Sequence, residues 1–134
     1  MSRLGLTLVA VGAALVVAGV AAAGSFRGIE PTVVGGNPGC ADIGLSNATQ
    51  VRFASPANGS SAGGIFLFVD GNSLGWFTNG DIVVKAAIVK GGPNANVYSY
   101  PDPSVVGFSD GSLVPPLNTK THKLYDLGAA TFCY

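Results

Sequence analysis

The chain has 134 residues, 48% of them hydrophobic and 10% charged, and its seven basic and seven acidic side chains give a formal net charge of zero. Because these few charges are scattered along the chain, they argue against nucleic acid or an anionic membrane surface as a partner, since both need a concentrated basic face. The 20 glycines and 8 prolines predict many turns and few long helices.

Residues 1–23 have the pattern of an export signal. Arg3 gives a short basic start, residues 4–20 form an apolar run without a charge, and residues 21–23 are the small residues that a signal peptidase accepts. We therefore expect a helical signal peptide and a secreted or cell-surface protein. An uncleaved signal anchor is the alternative, because about 20 apolar residues suffice to span a bilayer. Membrane contact is expected only in that case.

The remainder is predicted to be a linker followed by one domain. Residues 24–39 are rich in Gly, Pro, Ser and Thr, which is typical of a flexible linker, and residues 40–134 have the length of a single domain. Cys40 and Cys133 lie near its two ends, so in an oxidising compartment we expect one disulfide bond to join them. Two free buried thiols are the alternative. A zinc site is less favoured, because zinc needs four ligands and His122 is the single histidine.

Short runs rich in Val, Ile, Phe, Tyr and Trp, each bounded by turn residues, predict β-strands. They lie at residues 51–54, 65–69, 74–78, 82–89, 97–100 and 129–134. Between them, residues 70–72 and 79–81 combine Asp, Asn and Gly, which favour tight turns because they tolerate positive φ. The expected fold is all-β: a small antiparallel β-sandwich or barrel of about six to eight strands, closed by the disulfide.

The segment from residue 82 to residue 94 predicts a central strand followed by a turn. Residues 82–89 are apolar on both faces except at Lys85, as expected for a strand with neighbours on both sides. Residues 90–94 break the strand with two glycines and a proline. Backbone N–H groups beside Lys90 could form an anion-binding nest, but we favour a plain turn, because the spacing of a phosphate loop and its following helix are missing.

Aromatic residues give the main indication of binding. Tyr98 and Tyr100 share one face of a strand and, with Trp76, form either a stacking platform for sugars or an extended chain, or part of the core. Residues 101–128 show little alternation, so they are expected to be either a binding loop or a packed excursion over a sheet. The candidate binding residues are Lys90, Asn94, Asn96, Tyr98 and Tyr100.

Catalysis and metal binding have little support in the sequence. His122 lies in a polar loop without a nucleophile motif, and the acidic residues sit mostly in turns, so we predict no enzyme and no cofactor. Calcium is a weaker option, because oxygen ligands flank one predicted hairpin without an EF-hand register. These weak metal candidates are Asp70, Asn72, Asn79 and Asp81.

Three motifs resemble those of an uncharacterised family of exported bacterial cell-surface modules, which carry NPxCADxG, VKGGPNANxY and a C-terminal FCY. The corresponding segments here are NPGCADIG at residues 37–44, AIVKGGPNANVYSY at 87–100 and TFCY at 131–134. The chain departs from the family in two places. Residues 110–118 replace a typical SDTGLHAPxN run, and residues 129–131 replace the start of SHxSFC with its histidine. The resemblance implies an exported, β-rich module and implies no reaction.

The sequence therefore predicts a secreted or cell-surface β domain with a structural or interaction role, whose partner is an extracellular protein or a glycan. The alternative is a carbohydrate- or calcium-dependent binding module that uses residues 101–128. An unrecognised hydrolase is a third, less favoured option.

Overall fold

The computed structural model of the protein describes residues 24–101 and 107–134. These residues form eleven strands and one 3₁₀ turn, Ala41–Ile43. The strands are β1 Thr32–Gly35, β2 Gln50–Ala54, β3 Ser61–Ala62, β4 Ile65–Asp70, β5 Ser73–Thr78, β6 Ala86–Gly91, β7 Asn94–Ser99, β8 Ser109–Leu113, β9 Leu117–Asn118, β10 Lys123–Leu124 and β11 Ala129–Cys133.

The strands build two antiparallel sheets and a small ribbon. The five-stranded sheet has the order β1-β7-β6-β11-β2, the four-stranded sheet has the order β3-β4-β5-β8, and β9 pairs with β10. One apolar cluster draws buried side chains from both larger sheets, so they pack as a sandwich. The predicted all-β antiparallel fold is confirmed, and the described part of the chain has more strands than expected because several of them are short.

Side-chain alternation places one face of each sheet in the interior. Ile65 and Leu67 on β4 and Trp76 on β5 are buried, while Phe66 and Phe68 point the other way. Phe132 on β11 lies opposite them, with its ring centroid 5.6 Å from that of Trp76. Edge-to-face contacts of this kind join the two sheets through their aromatic side chains.

A third layer covers the other face of the five-stranded sheet. Cys40 and Ile43, in the segment between β1 and β2, pack against Ile88 of β6 and against its neighbours in a second apolar cluster. The predicted disulfide between Cys40 and Cys133 is present, with the two Cα atoms 5.7 Å apart. Strand β6 therefore has apolar layers on both faces, which explains its sequence and confirms it as a central strand.

The prediction of a flexible linker over residues 24–39 is wrong. Within it, β1 pairs with β7 from Thr32 to Gly35, and Val34 is buried in the second apolar cluster. Ser25 is also buried, and its backbone N–H donates to the carbonyl of Ile29 at 2.9 Å. The strand was not predicted because it has only four residues and is flanked by glycines and prolines, which are typical of linkers.

Two further boundaries differ from expectation. The strand predicted at residues 82–89 begins at Ala86, and Lys85, whose side chain is exposed, joins it to the sheet through backbone hydrogen bonds to Cys133 and Tyr100. Residues 101–128 contain β8, β9 and β10 rather than one structureless loop. The signal helix expected at residues 1–23 lies outside the described residues. Within the described ranges, no helix is long and apolar enough to cross a membrane.

Candidate functional site

Three of the predicted binding residues lie inside the sandwich. Asn96 and Tyr98 are fully buried and Tyr100 is 3% exposed, so none of them offers a stacking surface to solvent. The prediction of an open Tyr and Trp platform is wrong, and the alternative of core packing is confirmed, also for Trp76. The reason is that β7 lies between β1 and β6, and its tyrosine face is the inner one.

Tyr98 fixes the chain that follows β8. Its hydroxyl donates to the carbonyl of Val114 at 3.2 Å and accepts from the Val114 N–H at 3.0 Å. The Asn96 amide donates to the same carbonyl at 2.9 Å. Burial raises the pKa of Tyr98, although its hydrogen bonds oppose that shift. This part of residues 101–128 is therefore a packed excursion over the sheet.

A second buried polar group is centred on Asp110, which is 7% exposed. The Trp76 indole N–H donates to the Tyr100 hydroxyl at 3.3 Å, and that hydroxyl donates to Asp110 Oδ2 at 2.9 Å. The other carboxylate oxygen accepts from the backbone N–H groups of Arg27 and Gly111, at 2.9 and 2.8 Å. Burial, and then the negative charge of Asp110, raise the pKa of Tyr100.

Asp110 therefore fastens the N-terminal segment to β8. This role of Asp110 was not predicted, because turns were the expected place for most acidic residues. The run from Ser109 to Leu113 has little β-propensity, and no local signal distinguishes an inward carboxylate from one in a turn.

The segment at residues 90–94 is a hairpin turn between β6 and β7, as the plain-turn interpretation predicted. Gly91 pairs with Asn94 in the last rung of the hairpin. The Lys90 ammonium group donates to the Gly92 carbonyl in the turn itself, and Asn94 is half-buried. A Cβ atom at Gly92 would overlap the ring of Tyr125, so close packing requires this glycine. Lys90 and Asn94 thus form no common surface with Asn96, Tyr98 and Tyr100.

The four calcium candidates do not converge. Asp70 and Asn72 lie before the start of β5 and Asn79 and Asp81 lie after its end, so the two pairs are at opposite ends of a strand that is itself about 17 Å long. The Asn72 side-chain oxygen accepts from the Leu127 N–H at 3.0 Å, and that of Asn79 accepts from the Asp81 N–H at 3.2 Å. Within residues 24–101 and 107–134, no group of three or more His, Cys, Asp or Glu side chains is placed to hold a metal.

The outer face of the four-stranded sheet carries exposed phenylalanines. Phe68 on β4 is 58% exposed and Phe77 on β5 is 37% exposed. The Phe77 ring stacks on Phe66 with centroids 4.9 Å apart and on Phe68 with centroids 5.3 Å apart. Because Phe66 and Phe68 are two residues apart on one strand, Phe77 packs between them, and the three rings form a fixed cluster.

Phe26 extends this face beyond the edge of the sheet. It is 78% exposed, and its backbone N–H donates to the Gly111 carbonyl of β8 at 2.8 Å. The neighbouring Arg27 fixes this segment against β8, because its guanidinium donates to the Ser109 backbone carbonyl at 3.2 Å and to the Ser109 hydroxyl at 2.9 Å. We call this surface the aromatic face, and it comprises Phe26, Phe66, Phe68, Gly75, Phe77 and Gly111.

The aromatic face was not predicted as a site. Its only sequence signal is the run from Ile65 to Phe68, which is apolar at every position although just one face of this sheet is covered by protein. No protein-family model, curated protein or solved structure matches the chain. Function is therefore inferred from the residues themselves.

Proposed function

We propose that the protein is an exported, non-enzymatic interaction domain that binds a partner at the cell surface through the aromatic face. The observation that carries the proposal is the exposure of Phe26, Phe68 and Phe77 on one side of an otherwise well-packed sandwich. Exposed aromatic side chains grouped on one face are typical of protein-binding surfaces, because covering them removes apolar area from water.

Four observations support the location and the role. The leader pattern at residues 1–23 and the three motifs that resemble exported bacterial surface modules favour export. The Cys40–Cys133 disulfide is consistent with an oxidising compartment. The buried acid Asp110 uses both carboxylate oxygens to hold Arg27, Gly111 and Tyr100, which is a structural rather than a catalytic use.

The alternative, a carbohydrate- or calcium-dependent module that uses residues 101–128, is not favoured by the geometry. Its tyrosine platform is buried, its calcium ligands lie at two ends of a strand, and Val114 packs onto Tyr98. The aromatic face lies on a different surface, formed mainly by β4 and β5.

Export is tested at the N-terminus. Mass spectrometry of protein recovered from the medium or the cell surface should find a first residue at or within a few residues of Gly24, because the small residues of a cleavage site end there. An intact Met1 in the membrane fraction would establish the signal anchor instead.

Binding is tested with labelled exported protein added to cells of the producing species, both cells that carry its gene and cells that lack it, so that a partner that is the protein itself is also detected. Phe68→Asp should lower the apparent affinity for these cells at least about tenfold, the loss expected for an aromatic residue at the centre of an interface. Phe68→Tyr, which keeps the ring, is the matched control and should bind nearly as well. Equal binding of the Asp variant and the unmodified protein would rule out the aromatic face as the contact surface.

A further inference from the structure

Two glycines in the centre of the aromatic face are required neither by close packing nor by a positive φ. A Cβ atom at Gly75 of β5 would meet its nearest neighbour, the Asp110 carbonyl oxygen, at 3.6 Å. A Cβ atom at Gly111 of β8 would meet only Phe26, at 3.8 Å. Both distances are ordinary van der Waals contacts, and neither glycine has the positive φ that would favour glycine.

Glycine inside a strand weakens it, because the backbone loses more freedom on folding and no side chain packs. A glycine in a strand marks either a bulge or a place where another surface approaches the backbone closely. The pairing of β5 with β8 does shift register between Leu74 and Trp76, but the residue with positive φ at this irregularity is Ser112 and neither glycine, so we favour close approach.

Gly75 lies directly opposite Phe68 in the pairing of β4 with β5, and Gly111 adjoins Phe26. Gly75 and Gly111 thus form the bottom of a recess between Phe68 and Phe26. We call it the glycine recess.

We propose that the glycine recess receives the Phe68 ring of a second copy of the protein, so that two copies form a symmetric dimer through their aromatic faces. This proposal rests on the proposed function and identifies the partner of the same surface. Phe68 is the ring best placed to enter, because it is 58% exposed and is already held by stacking on Phe77. Little side-chain freedom is therefore lost when it binds.

The order of the strands makes the face self-complementary. Strand β5 lies between β4 and β8, so Phe68 and Gly111 are each about one strand spacing, 4.8 Å, from Gly75 and on opposite sides of it. A two-fold axis along β5 exchanges these two positions. It places the Phe68 ring of each copy over Gly111 of the other, and the contact closes at two copies.

The charges on the face permit this pairing. A two-fold contact brings a surface against itself, so a charge near its centre would meet the same charge on the partner. Among the described outward-facing residues of β4, β5 and β8, only Asp70 is charged, and it lies on β4 two residues beyond Phe68, so a two-fold axis along β5 places it over β8 of the partner and not over the partner's Asp70. The Arg27 guanidinium at the other edge is engaged by Ser109.

Sedimentation velocity of the exported protein, from about 1 µM to 1 mM, tests the proposal. The unmodified protein should pass from monomer to dimer and form no larger species. Gly111→Val places an isopropyl group in the recess, and Phe68→Ser removes the ring, so each should raise the dimer dissociation constant at least tenfold. Ala54→Val, which adds two methyl groups at an exposed position of β2 in the other sheet, is the control and should leave dimerisation unchanged.

Thermal melts separate binding from folding, because Gly111→Val should melt at or above the temperature of the unmodified protein under conditions where both are monomers. A monomer throughout the concentration range, or a Gly111→Val variant that dimerises normally, would overturn the proposal. If the protein stays monomeric while Phe68→Asp still loses cell binding, the interaction function stands and its partner is another molecule. If the protein stays monomeric and Phe68→Asp binds cells as well as the unmodified protein does, both proposals fail.

Discussion

At the residue scale, the hydroxyl of Tyr100 connects the core to the N-terminal segment. It accepts from the Trp76 indole and donates to Asp110, which in turn holds the Arg27 backbone. Burial and the carboxylate charge both disfavour the phenolate, so the pKa of Tyr100 in the folded protein lies well above its ordinary value of 10.0.

This shift predicts that the protein loses stability at alkaline pH. Above pH 10 an unfolded tyrosine releases its proton while folded Tyr100 keeps it, so the free energy of unfolding falls by about 1.4 kcal/mol per pH unit for each such residue. Tyr98, whose pKa is also raised by burial, adds to the slope. Urea unfolding at a series of pH values between 8 and 11 measures this slope of the free energy of unfolding with pH. Below pH 9 the tyrosines should contribute no pH dependence.

Tyr100→Phe should reduce the alkaline slope, because one of the two shifted groups is removed. At neutral pH the variant should lose about 1–2 kcal/mol, since Asp110 and the Trp76 N–H each lose a hydrogen-bond partner. An alkaline slope identical to that of the unmodified protein would show that Tyr100 ionises normally in the folded state.

The sequence placed Tyr98 and Tyr100 on one face of their strand but did not show which face is buried. Both faces of β7 carry side chains that can be buried: Ala95 and Val97 pack into the second apolar cluster, and Tyr98 packs into the first. Both faces of β7 are buried because a third layer covers the side of the five-stranded sheet that faces away from the sandwich core. That layer consists of chain remote from β7 in sequence.

At the element scale, the disulfide holds this third layer on the five-stranded sheet. Cys133 belongs to β11, which pairs with β6 on one side and with β2 on the other, whereas Cys40 precedes the short 3₁₀ turn Ala41–Ile43. Without the bond, β11 keeps both neighbouring strands. The layer around Cys40 keeps only small apolar contacts and a few backbone hydrogen bonds.

Replacing both cysteines by alanine should therefore loosen the third layer first. The bond closes a loop with a sequence separation of 93, for which the loss of stability is at most about 4–5 kcal/mol. Hydrogen exchange followed by mass spectrometry should show faster exchange in residues 36–49, while β11 stays protected until global unfolding. Faster exchange in β11 than in residues 36–49 would contradict this order.

Strands with strong β-propensity were predictable, and strands formed by context were not. The runs that became β2, β4, β5 and β11 are dense in β-branched and aromatic residues and were located within one or two residues. By contrast, β8 is Ser-Asp-Gly-Ser-Leu and has a residue at positive φ, Ser112. This segment is a strand because it pairs with β5 and because Asp110 accepts hydrogen bonds in the interior. Neither interaction can be predicted from the local sequence.

At the scale of the whole molecule, three layers bury most large apolar side chains of residues 24–101 and 107–134 and leave the aromatic face exposed. Within these residues, the sheet that carries this face packs against the core cluster on its other side, and Phe26 of the N-terminal segment lies at its edge. The sequence instead indicated Asn96, Tyr98 and Tyr100, which are buried. Alternation does not distinguish exposed from buried aromatic residues in strands that are apolar on both faces.

Photo-crosslinking on living cells tests most directly whether the aromatic face is the contact surface. A benzophenone amino acid is introduced at Phe68 and, as a control, at Ala54, which is exposed on the other sheet. We predict that position 68 forms covalent adducts, with a second copy or with another cell-surface molecule, in clear excess over position 54. Adducts formed mainly from position 54, or equally from both positions, would contradict the assignment of the aromatic face as the interaction surface.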